Sequence, residues 1–167
     1  YLGTFAVTVH GADKLVEEFK SIGDDYSAII AKLLADRFAE AFAERLHERV
    51  RKEFWGYSAA EELPLEELLH EDYQGIRPAA GYPSCPEHSE KRTCFDLLEA
   101  GKNIGAKLTE NYAMYPGASV CGWYFAHPDS MYFNLGRITK EQVELYAQRK
   151  GVSVEEAEKL LRPNLGY

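Results

Sequence analysis

Arg77, Gly81 and Tyr82 stand in one short loop, and the same loop carries Cys85, Glu87 and His88. A guanidinium offers a planar fork suited to one carboxylate, and Pro78 beside it fixes the direction of the chain. Gly81 lets the backbone come close to a ligand, and Tyr82 adds a flat face and a hydroxyl. Three of the seven prolines fall between positions 78 and 86. The stretch from Gly75 to His88 is therefore a stiff, pre-shaped loop, neither a helix interior nor a central strand. Such a loop orders its side chains at little further entropic cost, which suits capture of a small polar ligand. A connecting turn with incidental polar groups is the competing reading, ahead by roughly two to one for an arbitrary Pro-rich loop.

Two further groups extend this chemistry. Tyr132-Phe133 opens an aromatic-rich run, and if that run is a strand only one of the pair can cover a bound ring with its side chain. Asp36, Glu40 and His47 lie within about 40° of one another on a helix, because offsets of four and seven return to nearly the same face. They form either a solvated charged stripe, the commoner case, or a carboxylate row facing a cation. Arginine for a carboxylate, an aromatic face and carboxylates for a positive centre would together suit an amino acid bearing a sulfonium and a nucleoside.

Catalytic templates find little support. No G-x-G-x-x-G follows a strand, and neither a Walker loop nor a nucleophile elbow occurs. Cys85 and His88, three apart, match no thiol-nucleophile signature, and the spacing of Cys85, Cys94 and Cys121 matches no zinc pattern. No residue is assigned as acid, base, nucleophile or metal ligand.

The elements that must position these groups follow from periodicity and punctuation. Residues 1–9 alternate as a strand ended by His10-Gly11, and a short amphipathic helix at about 12–21 places Leu15, Val16 and Phe19 on one face. Gly23-Asp24-Asp25 starts a long helix from about Asp25 to Trp55, closed by Gly56. Its apolar positions (Tyr26, Ile29, Ile30, Leu33, Leu34, Phe38, Ala41, Phe42, Leu46, Val50 and Phe54) keep a 3.6-residue period over about eight turns. A short acidic helix at 64–72 leads into the Pro-rich loop. A further helix runs from Glu90 to about Asn103, and Leu108 to Tyr115 is extended or irregular. Two β-like runs, Ala118–Ala126 and Met131–Ile138, flank the turn His127-Pro128-Asp129-Ser130 and read as a hairpin. Thr139 with Gln142 and Ser153 with Glu156 have capping-box spacing for two last helices, and Pro163 stops the second. The expected fold class is α+β, one domain with a small antiparallel sheet, a long helix and several shorter ones.

Composition sets outer bounds. The 167 residues include 46% hydrophobic and 13% aromatic types, enough for a single packed core. A formal charge of −8 disfavours nucleic acid as the main partner. No apolar run approaches the roughly 20 residues that span a bilayer, so no membrane association is expected. Three cysteines, an odd number, fit a reducing cytoplasm better than a disulfide framework. The chain opens within a strand, without a basic leader or a methionine, as a fragment or processed piece would.

At these residues the chain closely resembles the C-terminal S-adenosylmethionine-binding activation domain of cobalamin-dependent methionine synthases, over essentially its whole length. The resemblance is carried by Leu34-Ala35-Asp36-Arg37 through Ala39-Glu40-Ala41-Phe42-Ala43-Glu44, and by Leu46-His47-Glu48-Arg49-Val50-Arg51-Lys52. It continues in Gly75-Ile76-Arg77-Pro78-Ala79, Gly81-Tyr82-Pro83, Pro86-Glu87-His88, Pro116-Gly117-Ala118-Ser119-Val120 and the ending Pro163-Asn164-Leu165-Gly166-Tyr167.

That resemblance implies that Arg77 pairs with the ligand's carboxylate, that Ala79, Gly81 and Tyr82 line the site, that Tyr132 and Phe133 meet the adenosyl part, and that Glu40 lies nearby. It implies that the long helix meets a cobalamin-binding domain, with Asp36 touching that domain's displaced cobalt-ligand histidine. The family's task is reductive reactivation in methionine biosynthesis. Oxidised cob(II)alamin takes one electron from flavodoxin or another flavin reductase and a methyl group from S-adenosylmethionine. By the same resemblance residues 1–167 are the C-terminal portion of an activation domain about twice as long, a part not catalytic by itself, within a cytoplasmic methyltransferase. An N-terminal half, including an acidic ligand contact, has no counterpart here. Asn134 is more polar than expected at its place. The alternative function is a stand-alone S-adenosylmethionine-binding or regulatory module without the methylation role.

Overall fold

A computed structural model describes residues 1–167. The chain forms β1 (Gly3–Thr8), α1 (Ala12–Ser21) and α2 (Asp25–Arg49), and α2 passes into a wider π-helical turn over Val50–Phe54. There follow α3 (Leu65–Leu69), α4 (Glu90–Leu97), α5 (Ala100–Asn103), β2 (Lys107–Leu108), β3 (Met114–Tyr115), β4 (Ser119–Tyr124), α6 (Lys140–Lys150) and α7 (Val154–Leu160). The class is α+β, as expected, but the sheet is two separate antiparallel pairs, β1 with β4 and β2 with β3. In the first, Gly3 faces Tyr124 and Thr8 faces Ser119. No helix is long and apolar enough to cross a membrane.

The helix signals correspond to real caps. Asp24 accepts the Ser27 amide at 2.9 Å and starts α2. Thr139 and Gln142 close a full capping box on α6, while Ser153 accepts the Glu156 amide at 3.2 Å at the start of α7.

Three expectations are corrected. The span from Glu90 to Asn103 is two helices, because Glu99 takes a left-handed φ of 45° that breaks the run after Leu98. Met131–Ile138 is not a strand and there is no hairpin at 127–130: β1 covers one edge of β4, and the other edge is taken by the segment around Ile76. Finally, of the apolar positions named on the long helix only Val50 is buried in the core, with Leu46 packed against it. The helix instead buries Ala28, Ala31, Ala35, Ala39, Ala43 and His47, a row at intervals of three and four. Phe38 and Phe42 stay 64% and 55% exposed, whereas Ala39 is 1% exposed. Small side chains let the backbone of α2 approach its neighbours closely, and the bulky face is left outside.

The core is divided into three clusters. Phe5, Val7, Ala43, Val50 and Tyr124 pack between α2 and the first sheet. Cys94, Phe95, Ala100, Ala106 and Cys121 pack under α4 and α5, and Ile138, Val143, Ala147, Ala157 and Leu161 join α6 to α7.

Candidate functional site

The Pro-rich loop is held as an extra, irregular edge of the sheet. Ile76 and Phe125 exchange amide-to-carbonyl bonds at 2.9 and 3.0 Å, and the Trp123 amide donates to the Pro78 carbonyl at 3.0 Å. This seam explains Gly122, since a Cβ there would stand 2.4 Å from the Pro78 carbonyl oxygen. It fixes Arg77 between two residues that are pinned to β4. Further along, the Gly81 amide donates to the Cys85 carbonyl at 2.7 Å and Cys85 returns a bond to Tyr82 at 2.8 Å.

Arg77 is the centre of the site. Its Nη2 lies 2.6 Å from a carboxylate oxygen of Glu44 and 3.2 Å from one of Glu71. Its Nη1 donates to the Tyr73 hydroxyl and, at 3.4 Å, to His47 Nδ1. The Arg77 amide donates to the Tyr132 hydroxyl at 3.0 Å. A guanidinium held on several sides is aimed before any ligand arrives, which reduces the ordering cost of binding. Burial works against its charge, but Tyr73 and Glu44 outweigh that and hold its pKa above the ordinary value.

Behind Arg77 lies a buried polar and aromatic layer. His47, fully enclosed, stacks on Tyr124 at 5.0 Å between ring centres and meets the edge of Tyr73 at 5.2 Å. Burial, with the charges of Arg51 and Arg77, pushes its pKa down to about 3, so the imidazole is neutral. Arginine can only donate, so Nδ1 is the acceptor and Nε2 carries the proton toward the Tyr57 hydroxyl at 3.4 Å. Arg51, with its side chain fully enclosed, makes a bidentate pair with Glu61 at 2.7 and 2.8 Å and lies 3.7 Å above the Tyr73 ring. The other Glu44 oxygen lies 3.9 Å from Arg51, so Glu44 stands between the two guanidinium groups.

In front of Arg77 opens a basin of about 700 Å³, within the range of small-molecule sites. Arg77, Pro78, Ala79, Tyr82 and Pro83 form one wall, Tyr132, Phe133 and Asn134 another, and Phe5, Glu40, Ala43, Val120, Glu71 and Ser84 complete it. Most of the residues singled out in the sequence therefore converge here. Tyr132 and Phe133 both line the basin; the segment is irregular, so the alternation expected of a strand does not apply. The Leu135 amide donates to the Pro83 carbonyl at 3.0 Å and ties the two walls together. Asn134 accepts the Gly136 amide at 2.9 Å, a local turn that accounts for a polar residue at that place.

Two placements differ from expectation. Gly81 does not line the basin; with φ of +100° it leaves room for His88, whose Cε1 would sit 2.3 Å from an added Cβ. The row Asp36, Glu40, His47 divides into three environments: Glu40 lines the basin while paired with Arg37 at 2.5 Å, His47 is core, and half-buried Asp36 stands outside the basin. Glu71, Glu44 and Tyr73 were missed. Nothing in their spacing marks them, since they gather only when α2 and the segment after α3 meet around Arg77.

Glu87 and His88 shape the loop instead of facing the basin. Buried Glu87 accepts from the Ser89 and Tyr146 hydroxyls at 2.8 Å each and pairs with Lys150 at 3.2 Å, which clamps α6 to the loop. Lys91 donates to His88 Nδ1 at 2.9 Å. Cys85, Cys94 and Cys121 are unpaired thiols.

Arg77, held from several sides on a loop sewn to the sheet, thus stands in one wall of a basin lined in part by aromatic residues. The family described as vitamin B12 dependent methionine synthase, activation domain, matches residues 1–151, and the chain belongs to that family. A crystal structure of the MetH reactivation domain bound to AdoHcy is similar at a TM-score of 0.97 and 60% sequence identity. The likeness covers 99% of this chain and 51% of that one, so the chain spans about half the length of the domain it matches.

Proposed function

We propose that this chain carries the S-adenosylmethionine site through which a cobalamin-dependent methionine synthase is reactivated, as the C-terminal portion of its activation domain. The observation that carries the reading is Arg77, aimed into a 700 Å³ basin by Glu44, Tyr73 and His47. Its fork takes the ligand's carboxylate, with Ala79 and Tyr82 alongside. Tyr132 and Phe133 flank the adenosyl group, and Glu40 faces the sulfonium. AdoHcy, bound by the 60%-identical relative, is what remains of S-adenosylmethionine once the methyl group has left.

The reactivation chemistry is a one-electron reduction coupled to methyl transfer. Cobalamin, held by a separate part of such an enzyme, supplies the cobalt that accepts the methyl group, and flavodoxin or another flavin reductase supplies the electron. The residues of this chain hold and orient the donor; the gain is proximity, and none of them needs to move a proton. Asp36, outside the basin on α2, is assigned to the cobalamin-domain contact at the displaced histidine.

Calorimetric titration of S-adenosylmethionine and S-adenosylhomocysteine into the chain and into Arg77→Ala, at low and high salt, tests the reading. Binding that weakens by about 100-fold in the variant supports it, a loss typical of a charged hydrogen-bonded pair. Equal affinity of the two proteins, or no binding by the activation domain with its N-terminal half restored, overturns it.

A further inference from the structure

We propose that Lys150 and Tyr146 of α6, acting through Glu87, are positioning residues of the ligand site. Together with Asn164 they make the α6–α7 unit a brace that fixes the distance between the two walls of the basin. The inference rests on the basin being the S-adenosylmethionine site, and it gives a role in binding to residues outside the lining.

The walls are separate pieces of chain with separate roots. The Pro-rich wall is sewn to β4 at its start, through Ile76 and Pro78, and past Tyr82 its backbone makes no further bond to the sheet. Its far end is fastened by Glu87 instead. That carboxylate, only 3% exposed, accepts from the Ser89 and Tyr146 hydroxyls at 2.8 Å each and from the Lys150 ammonium at 3.2 Å. Lys150 also holds Glu90 at the start of α4.

The second wall, Tyr132 to Asn134, belongs to no strand. Its root is the turn after α7. The Asn164 side-chain amide donates to the Gly136 carbonyl at 2.9 Å, and Arg137 donates to the Leu165 carbonyl at 2.7 Å. Ile138 donates to Asn164 at 2.9 Å and accepts from Gly166 at 3.0 Å, and its side chain enters the α6–α7 core cluster.

Both walls are therefore rooted in one small unit with a core of its own. A close-packed unit holds its two attachment points at a fixed spacing. Two hydrogen bonds cross directly between the walls, from the Leu135 amide to the Pro83 carbonyl and from the Arg77 amide to the Tyr132 hydroxyl, each at 3.0 Å. A ligand that leans on both walls finds them already spaced, so little ordering is left to binding. Lys150 is the one cation paired with Glu87. Its loss leaves an enclosed charge unbalanced, and the end of the loop then has to move toward water.

The test titrates two ligands into the activation domain with its N-terminal half restored. S-adenosylhomocysteine reaches from Arg77 to Tyr132, whereas 5′-methylthioadenosine lacks the amino-acid head and leans on the second wall. Lys150→Met is expected to weaken S-adenosylhomocysteine by about tenfold and 5′-methylthioadenosine by no more than about twofold. Lys150→Arg, which keeps the cation, should restore the first ligand. Tyr146→Phe, a smaller cut that leaves the ion pair whole, should give the same pattern at about threefold, and it guards against a folding defect in Lys150→Met. Asn164→Ala loosens the other root and should reproduce the pattern from the opposite wall. Either break frees the walls from one another, so the Lys150→Met/Asn164→Ala double variant should bind S-adenosylhomocysteine within about twofold of the weaker single variant. Equal losses for the two ligands, unchanged binding in the single variants, or losses that multiply in the double variant overturn the proposal and leave the basin assignment standing. Failure of the unaltered domain to bind S-adenosylhomocysteine overturns both.

Discussion

The two ends of α2 invert the usual relation between polarity and burial, and for different reasons. Toward its C-terminus and just beyond, His47 and Arg51 are fully enclosed. Toward its N-terminus and middle, Ile29, Leu33, Leu34 and Phe38 are half or more exposed. The buried end is polar because each group has partners there: Arg51 holds Glu61, His47 lies between Arg77 and Tyr57, and Glu44 lies between two arginines. The exposed end is apolar because alanine occupies the contact face and the bulky residues point away. Burial in this helix follows the closeness of approach and the supply of partners, not side-chain hydropathy.

The comparison is broken most severely by removing a partner at the buried end. Glu61→Gln leaves the Arg51 guanidinium enclosed with only the more distant Glu44 to balance it. Loss of one member of a buried pair is expected to cost about 3 kcal/mol in urea denaturation. An unchanged midpoint would mean that water or movement compensates the arginine, and that the buried end is looser than its hydrogen bonds indicate.

His47 gives the same region a dependence on pH. The folded chain keeps the imidazole neutral down to about pH 3, whereas the unfolded chain takes up a proton below about 6.5. Over that window the unfolded state binds more protons, so stability falls as pH falls, by up to about 1.4 kcal/mol per pH unit. Glu87 adds to the loss in more acid solution. Burial disfavours its charge, but hydrogen bonds from Ser89 and Tyr146 and the pairing with Lys150 outweigh that and depress its pKa from 4.5. Its contribution is present above about pH 4.5 and is lost as pH falls through the depressed value. Thermal melting at a series of pH values should show the decline between pH 6 and 5, and His47→Gln should flatten it there. A decline of the same slope in that variant would place the titrating group elsewhere.

Much of this arrangement was legible in the residues. Capping signals at Asp24 and Thr139 located helices because they act within one turn. The prolines located the loop, because proline density and one arginine are local facts. What could not be read depends on distant contacts. The run Met131–Ile138 has the composition of a strand but finds β4 already occupied on both edges, by β1 and by the loop near Ile76. Tyr73, Glu44 and Glu71 become a set only when α2 and the segment after α3 meet around Arg77. On α2 the 3.6-residue period was real, yet two periodic faces coexist on that helix, one of alanines and one of large apolar residues, and periodicity does not say which faces inward.

The smallest expected effect sharpens that last point, because Phe38 and Ala39 are neighbours in sequence and opposites in environment. Phe38 is 64% exposed and Ala39 only 1%. Phe38→Gln should change unfolding stability by no more than about 0.5 kcal/mol, since no packed neighbour loses its contacts. Ala39→Leu forces a larger side chain between close-packed backbones and should cost about 1–3 kcal/mol. Hydropathy alone gives the reverse order, with the aromatic deletion harmful and the added apolar bulk welcome. Denaturation midpoints of the two variants decide between the orders. A large loss on Phe38→Gln would show that the bulky face of α2 is packed in solution, and the alanine row would then not be the face that holds the helix in place.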